Sequence, residues 1–169
     1  MSESLPSIAQ RLRSLNERQL DAVKQIDGPL LVLAGAGSGK TSVITTKIAY
    51  LIQTCGFKAS SIIAVTFTNK AAREMKERVV GMLSKPESRG LSISTFHNLG
   101  LRILRKEFRR AGLKDGFTLF DAQDSLSLVK EILDKEFNGQ LDAAAFCQNT
   151  ISNWKNDLTT PSEAMTNAD

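Results

Sequence analysis

The sequence predicts an α/β protein in which a doubly wound parallel sheet is flanked by helices, and three observations carry that prediction. Three short apolar runs, at residues 30–33, 62–65 and 91–94, are bounded by turn residues, as strands buried on both faces are. Each is followed by a stretch whose apolar residues recur at helical spacing. The stretches between them have the length of crossover helices, which join parallel rather than antiparallel strands.

In chain order, a polar lead-in precedes Asn16, which can cap a helix carrying Leu20, Val23 and Ile26 and closed by Gly28-Pro29. The first strand, 30–33, runs into a glycine-rich loop. Val43, Ile44, Ile48, Leu51 and Ile52 then mark one side of a helix that stops near Gly56. The second strand, 62–65, leads to a helix over 71–83 with Ala72, Met75, Val79 and Met82 inward. Lys85-Pro86 and Gly90 punctuate the chain before the third strand, 91–94, and a helix using Leu99, Ile103 and Leu104. Beyond about residue 110 the alternation fades. FTLF, 117–120, reads as a brief strand and Asp121 as an N-cap, with Leu126, Val129, Ile132, Leu133 and Phe137 the apolar face of a helix. A further helix is expected at about 141–157, and PSEAMTNAD offers no closing element. Residues 1–110 thus form an α/β part and residues 111–169 the start of an all-helical one.

At 169 residues with 41 % hydrophobic content, the chain is long enough for one substantial core and part of a second domain. No apolar run approaches the roughly 20 residues of a membrane span. The N-terminal MSESLPSIAQRLRS lacks the apolar stretch of a signal peptide, so a cytoplasmic location without membrane contact is expected. Cys55 and Cys147 have neither paired-motif spacing nor metal-ligating neighbours and read as buried or incidental thiols. The net charge of +4 is uneven: from Arg73 to Arg110 ten Lys or Arg face four Glu, a balance of +6, which leaves −2 for the rest. Such a segment suits a polyanion, although a run such as RKEFRR also serves as a solvated helix face.

Ala34-Gly35-Ala36-Gly37-Ser38-Gly39-Lys40-Thr41 fits the phosphate-loop pattern, with alanine at its first glycine position. Small residues let successive N–H groups turn toward phosphate oxygens, and the helix after Gly39 presents the positive end of its dipole. Lys40 would reach the β and γ phosphates of ATP, and the Thr41 hydroxyl would ligate Mg²⁺. The plainer alternative is a glycine-rich turn with a chance lysine; the loop's place between an apolar strand and a helix argues against it. Gln19 has two readings. Three residues after Asn16, its amide can complete a capping box; it can also read an adenine edge, because an amide donates and accepts at once.

The next two strand ends repeat one chemistry. Thr66-Phe67-Thr68-Asn69-Lys70 and Ser94-Thr95-Phe96-His97-Asn98 lie at the C-terminal edges of strands, where open α/β sheets bind ligands. An aromatic ring beside hydroxyls, an amide and a lysine suits single-stranded nucleic acid, with a base on the ring and phosphates on the polar groups. Each feature has an ordinary alternative: Phe67 as a core residue, and His97, the single histidine, as a helix-start hydrogen-bonder.

Together, LNERQLDAV, LAGAGSGKT, AVTFTNKAAREMKERV and ISTFHNLGLRIL resemble the N-terminal motifs of superfamily 1 DNA helicases of the UvrD/PcrA/Rep group. FTLFDAQD and TISNWKNDLTTPSEA extend the resemblance over nearly the whole chain from about Leu15. The resemblance implies a P-loop NTPase with a RecA-like parallel sheet and an inserted all-helical subdomain. It implies an ATP-driven motor that moves 3′ to 5′ along single-stranded DNA and separates duplexes. Position by position, it makes Gln19 the adenine reader, keeps Lys40 and Thr41 in their roles, and turns Thr66, Phe67, Asn69, Lys70, Thr95, Phe96 and His97 toward the DNA. Trp154, Lys155 and Asn156 fall in the helical subdomain, where a strand or duplex contact competes with core packing of Trp154. The implied partners are single-stranded DNA, single-strand/duplex junctions and the remainder of a helicase chain.

Hydrolysis in that family also requires a strand ending in Asp-Glu and arginines from a second motor domain. In FTLFDAQD no acid directly follows Asp121, and LSLVKEILDKE has helical rather than strand periodicity. The 169 residues are therefore expected to be an N-terminal fragment that binds ATP without hydrolysing it efficiently. Two other readings remain: a non-catalytic nucleotide- and strand-binding module, and a phosphotransferase such as a nucleoside kinase. The kinase shares the loop but does not predict Phe67 and Phe96 at strand ends beside a basic helix.

Overall fold

Ser7 starts a helix through a reciprocal cap: its hydroxyl accepts from the Gln10 N–H while the Gln10 amide oxygen accepts from the Ser7 N–H. The resulting helix, α1 (Ile8–Arg13), stands where a polar lead-in is expected from sequence. The computed structural model describes residues 7–137 and 143–166, a mixed α/β chain whose two compact units part after Leu113.

In the first unit, Asn16 and Gln19 form a second capping box and open α2 (Glu17–Lys24). Ala22 and Val23 of α2 pack on Val43 of α3 (Lys40–Gln53), with Leu12, Leu15 and Tyr50 around them. The α2 helix ends before Ile26 at an extended Gln25, where the Lys47 ammonium of α3 donates to the Ala22 and Gln25 carbonyls; burial pulls the Lys47 pKa down. The main core gathers Ile48 and Ala49 of α3, Ala64 of β1 (Ile63–Thr66), Met75 and Val79 of α4 (Asn69–Val80), and Leu83. Through α4 the chain crosses to β2 (Ser92–Thr95), which pairs with β1 in parallel from Ile63↔Ser92 to Thr66↔Thr95. The helix α5 (Phe96–Lys106) follows at once. Gly90 makes the approach to β2 possible: its φ is +89°, and a Cβ there would lie 2.9 Å from the Ser60 Cβ.

Among the described residues the sheet has two strands, not three. Residues 30–33, expected as a buried strand, pair with nothing, and Leu31 and Leu33 are 82 % and 87 % exposed. An apolar run reports that a segment is suited to burial on both faces, but a strand also needs a neighbour to exchange hydrogen bonds with, and none of the described residues provides one.

The second unit is helical. Asp121 caps α6 (Ala122–Glu136) as expected, its carboxylate accepting from the Gln123 and Asp124 N–H groups at 2.8 Å each. Residues 117–120 form no strand, since they too lack a partner. The next helix, α7 (Ala144–Asn156), is tied to α6 by the Gln148 amide, which donates to the Ala122 carbonyl at 2.6 Å. The expected start near 141 lies outside the described residues. A short α8 (Pro161–Thr166) follows where no element is expected, capped by Thr160 and Glu163. No helix among the described residues is long and apolar enough to cross a membrane.

Candidate functional site

The loop at 34–41 is shaped by its glycines. Gly37 and Gly39 adopt φ of +75° and +83°, and Gly39 serves as the N-cap of α3 without any side-chain cap. The first intrahelical bond runs from the Val43 N–H to the Gly39 carbonyl, so the Lys40, Thr41 and Ser42 N–H groups have no acceptor within the helix. Three uncapped donors and the positive end of the α3 dipole converge on one opening, which is how a backbone binds an anion. Lys40 folds back on its own loop: its Nζ donates to the Ala34 and Gly35 carbonyls at 3.0 and 2.6 Å. The Ser38 hydroxyl closes the turn by donating to the Gly35 carbonyl at 2.8 Å.

Gln19 performs its cap and reaches the loop together. Its N–H donates to Asn16 Oδ1 at 2.9 Å and its Oε1 accepts from the Asn16 N–H at 3.1 Å, while its Nε2 donates to the Ser38 carbonyl at 3.0 Å. Beside this bridge lies a cavity of about 330 Å³, lined by Ala22, Val32, Val43 and Ile44 together with Ser38 and Lys40. No carboxylate lines it, and no cluster of three potential metal-ligating side chains exists among the described residues.

The strand ends meet in register. Thr66 pairs with Thr95, so the next residues, Phe67 and Phe96, come side by side with ring centroids 5.6 Å apart and planes tilted 45°. Phe67 is 86 % exposed and Phe96 52 %, an open aromatic surface rather than core. Two positions further on, the Asn98 amide donates to Asn69 Oδ1 at 3.4 Å. Thr68 and Thr95 cap α4 and α5, accepting from the Ala71 and Asn98 N–H groups. Thr95 is itself 5 % exposed and committed to this cap, whereas Asn69, Lys70 and His97 are exposed and Thr66 is half-buried. On α5, the Arg102 guanidinium donates to the Ser92 hydroxyl at 2.6 Å.

Residues 15–169 match the UvrD/REP helicase N-terminal domain. The chain belongs to that family. Among curated relatives of this UvrD/REP-type domain, the ATP-dependent DNA helicase Rep of Escherichia coli K12 is 56 % identical over 154 residues, covering 91 % of this chain and 23 % of its own. Rep of Salmonella typhimurium LT2 is 54 % identical over the same shares, and the ATP-dependent DNA helicase PcrA of Bacillus subtilis 168 is 50 % identical over 91 % of this chain and 21 % of its own. The chain thus spans less than a quarter of the length of these relatives.

Within the UvrD/REP-type domain, the structure joins Gln19 to the loop and Phe67 to Phe96, as two local groups. Sequence reading noted Asn98 at the second strand end but left it out of the DNA-facing set, and it missed the Asn98–Asn69 contact and the Gln19–Ser38 bridge. A signal for Asn98 was available: Thr66-Phe67-Thr68-Asn69 and Thr95-Phe96-His97-Asn98 share the pattern Thr-Phe-x-Asn, and parallel pairing in register places equivalent residues together. Trp154 is half-buried on α7 and lines one cavity with Thr159, Pro161 and Ala164, and Cys55 and Cys147 are free, partly exposed thiols.

Proposed function

We propose that the chain is the nucleotide- and strand-binding portion of a cytoplasmic ATP-dependent 3′–5′ DNA helicase, built on a RecA-like P-loop fold, with residues from about 111 onward beginning an inserted helical subdomain. The observation that carries this reading is the paired Thr-Phe-x-Asn ends: two exposed rings in contact, flanked by amides and followed by a basic helix. A base stacks on the Phe67–Phe96 surface, while Asn69, Lys70, His97 and the Thr66 end of β1 hold the strand's phosphates. Thr95 acts by fixing the start of α5, and so the aim of Phe96 and His97. Strand/duplex junctions and the rest of a helicase chain are the further partners this reading implies.

At the loop, Lys40 exchanges the Ala34 and Gly35 carbonyls for β and γ phosphate oxygens, and the three free N–H groups of α3 take the remaining phosphate charge. Gln19 can read adenine without giving up its cap, since its Oε1 has a second lone pair and its Nε2 a second hydrogen. The Thr41 hydroxyl, in the first turn of α3, would hold an Mg²⁺ that arrives with the nucleotide. That ion would supply neutralisation of charge on the phosphate oxygens. Binding without turnover follows, because these 169 residues contain no Asp-Glu strand end to activate water. Equilibrium titration of the chain with Mg·ATP should show binding that Lys40→Ala weakens about tenfold or more, with turnover at background with or without single-stranded DNA. DNA-stimulated hydrolysis by the pure chain would overturn the non-hydrolysing assignment, and unchanged affinity in Lys40→Ala would overturn the loop's role.

A further inference from the structure

The cavity beside the phosphate loop is bordered by one cation that neither the cap nor the loop employs. Arg18 lines the same space as Gln19, Val32, Val43 and Ile44, with Lys40 at the phosphate end. It is exposed, and neither ion pair found among the described residues includes it. Its position is electrostatically adverse: it sits in the first turn of α2, where the positive end of the helix dipole disfavours a cation. The Asn16–Gln19 box completes the helix start without it. A cation held at an unfavourable place, at the mouth of an apolar-walled cavity, is accounted for if it meets its partner only when the cavity is filled. A guanidinium is planar and weakly hydrated, and it stacks on aromatic faces, as an ammonium does less well.

We propose that Arg18 is a base-stacking residue of the nucleotide site, its guanidinium lying across the face of the nucleobase whose edge Gln19 reads. The proposal rests on the reading of residues 34–41 as an ATP site. Val32, Val43 and Ile44 supply the apolar surface beside the base, and the phosphates lie out toward Lys40. Arg18 therefore discriminates nucleotides from bare polyphosphate, whereas a phosphate-contacting arginine would strengthen both.

The test is titration of the 169-residue chain, Arg18→Ala and Arg18→Lys with Mg·ATP and, separately, with Mg·tripolyphosphate, after thermal unfolding has verified that each variant folds. Arg18→Ala should weaken ATP about tenfold and leave tripolyphosphate unchanged, with Arg18→Lys between wild type and alanine. Because the cation opposes the helix dipole, Arg18→Ala should also unfold at the same temperature as wild type or higher when no ligand is present. Unchanged ATP affinity in Arg18→Ala, or an equal loss for both ligands, overturns the stacking assignment while leaving the loop reading in place. A wild-type chain that binds neither ligand overturns the loop reading and the stacking role together.

Discussion

The Gln19 side chain caps α2 and, with the same amide, ties that helix start to the Ser38 carbonyl. Spacing from Asn16 suggests a cap and the amide chemistry suggests adenine recognition; the structure shows the cap complete and the same amide donating to the Ser38 carbonyl. The cap is legible because it is local, whereas the contact to Ser38 crosses 19 positions and leaves no mark in the spacing. Gly39 is the backbone counterpart of this bridge. With φ of +83° and a would-be Cβ 3.0 Å from Gln19 Nε2, Gly39→Ala should lower stability by about 1–2 kcal/mol in urea denaturation. Leu158 presents the reverse case. It occupies the left-handed position after α7 with φ of 58°, where the Leu158 and Thr159 N–H groups close the helix on the Lys155 and Trp154 carbonyls, and its side chain is almost fully exposed. Leu158→Gly should therefore raise stability by about 1 kcal/mol in the same assay.

Elements were legible where local pattern and tertiary partner agreed. The expected strands at 62–65 and 91–94 appear one residue further on as β1 and β2, because each has the other to pair with. Residues 30–33 carry the same apolar pattern without a partner, form no strand and are exposed. The two short helices α1 and α8 were missed for the opposite reason: they are too brief for periodicity to register, yet each has a capping signal, Ser7-x-x-Gln10 and Thr160-x-x-Glu163, with Pro161 at the first position of α8. The cap on α8 carries a pH dependence. The Thr160 N–H and hydroxyl hold the Glu163 carboxylate below its ordinary 4.5. A depressed carboxylate contributes stability that is present above the unfolded value and lost as pH falls through the folded one. Protection of the α8 amides, taken relative to the intrinsic exchange rate at each pH, should therefore fall on acidification below about pH 4.5, and Glu163→Gln should remove that change in protection.

At the scale of the whole molecule, the helical second unit and the α/β first unit follow from a change in patterning that the sequence displays near residue 110. The family is carried by the first unit's motifs, and the match over residues 15–169 includes the second. On the proposed reading, the basic stretch from Arg73 to Arg110 serves the strand-binding surface. It begins on α4 and continues through α5, both of which start at the aromatic strand ends, and the one ion pair found within it among the described residues joins Arg110 to Glu107. Most of its charge is thus available to phosphates, and the rings are exposed enough to be truncated without opening the core. The central claim, that the Phe67–Phe96 surface holds single-stranded DNA, is tested most directly by fluorescence anisotropy of a labelled oligonucleotide with the 169-residue chain. The account predicts binding that weakens steeply between about 50 and 200 mM salt, and a further loss of about tenfold or more in Phe67→Ala/Phe96→Ala at either salt. Absence of binding at low salt, or binding unaffected by removing both rings, would contradict it.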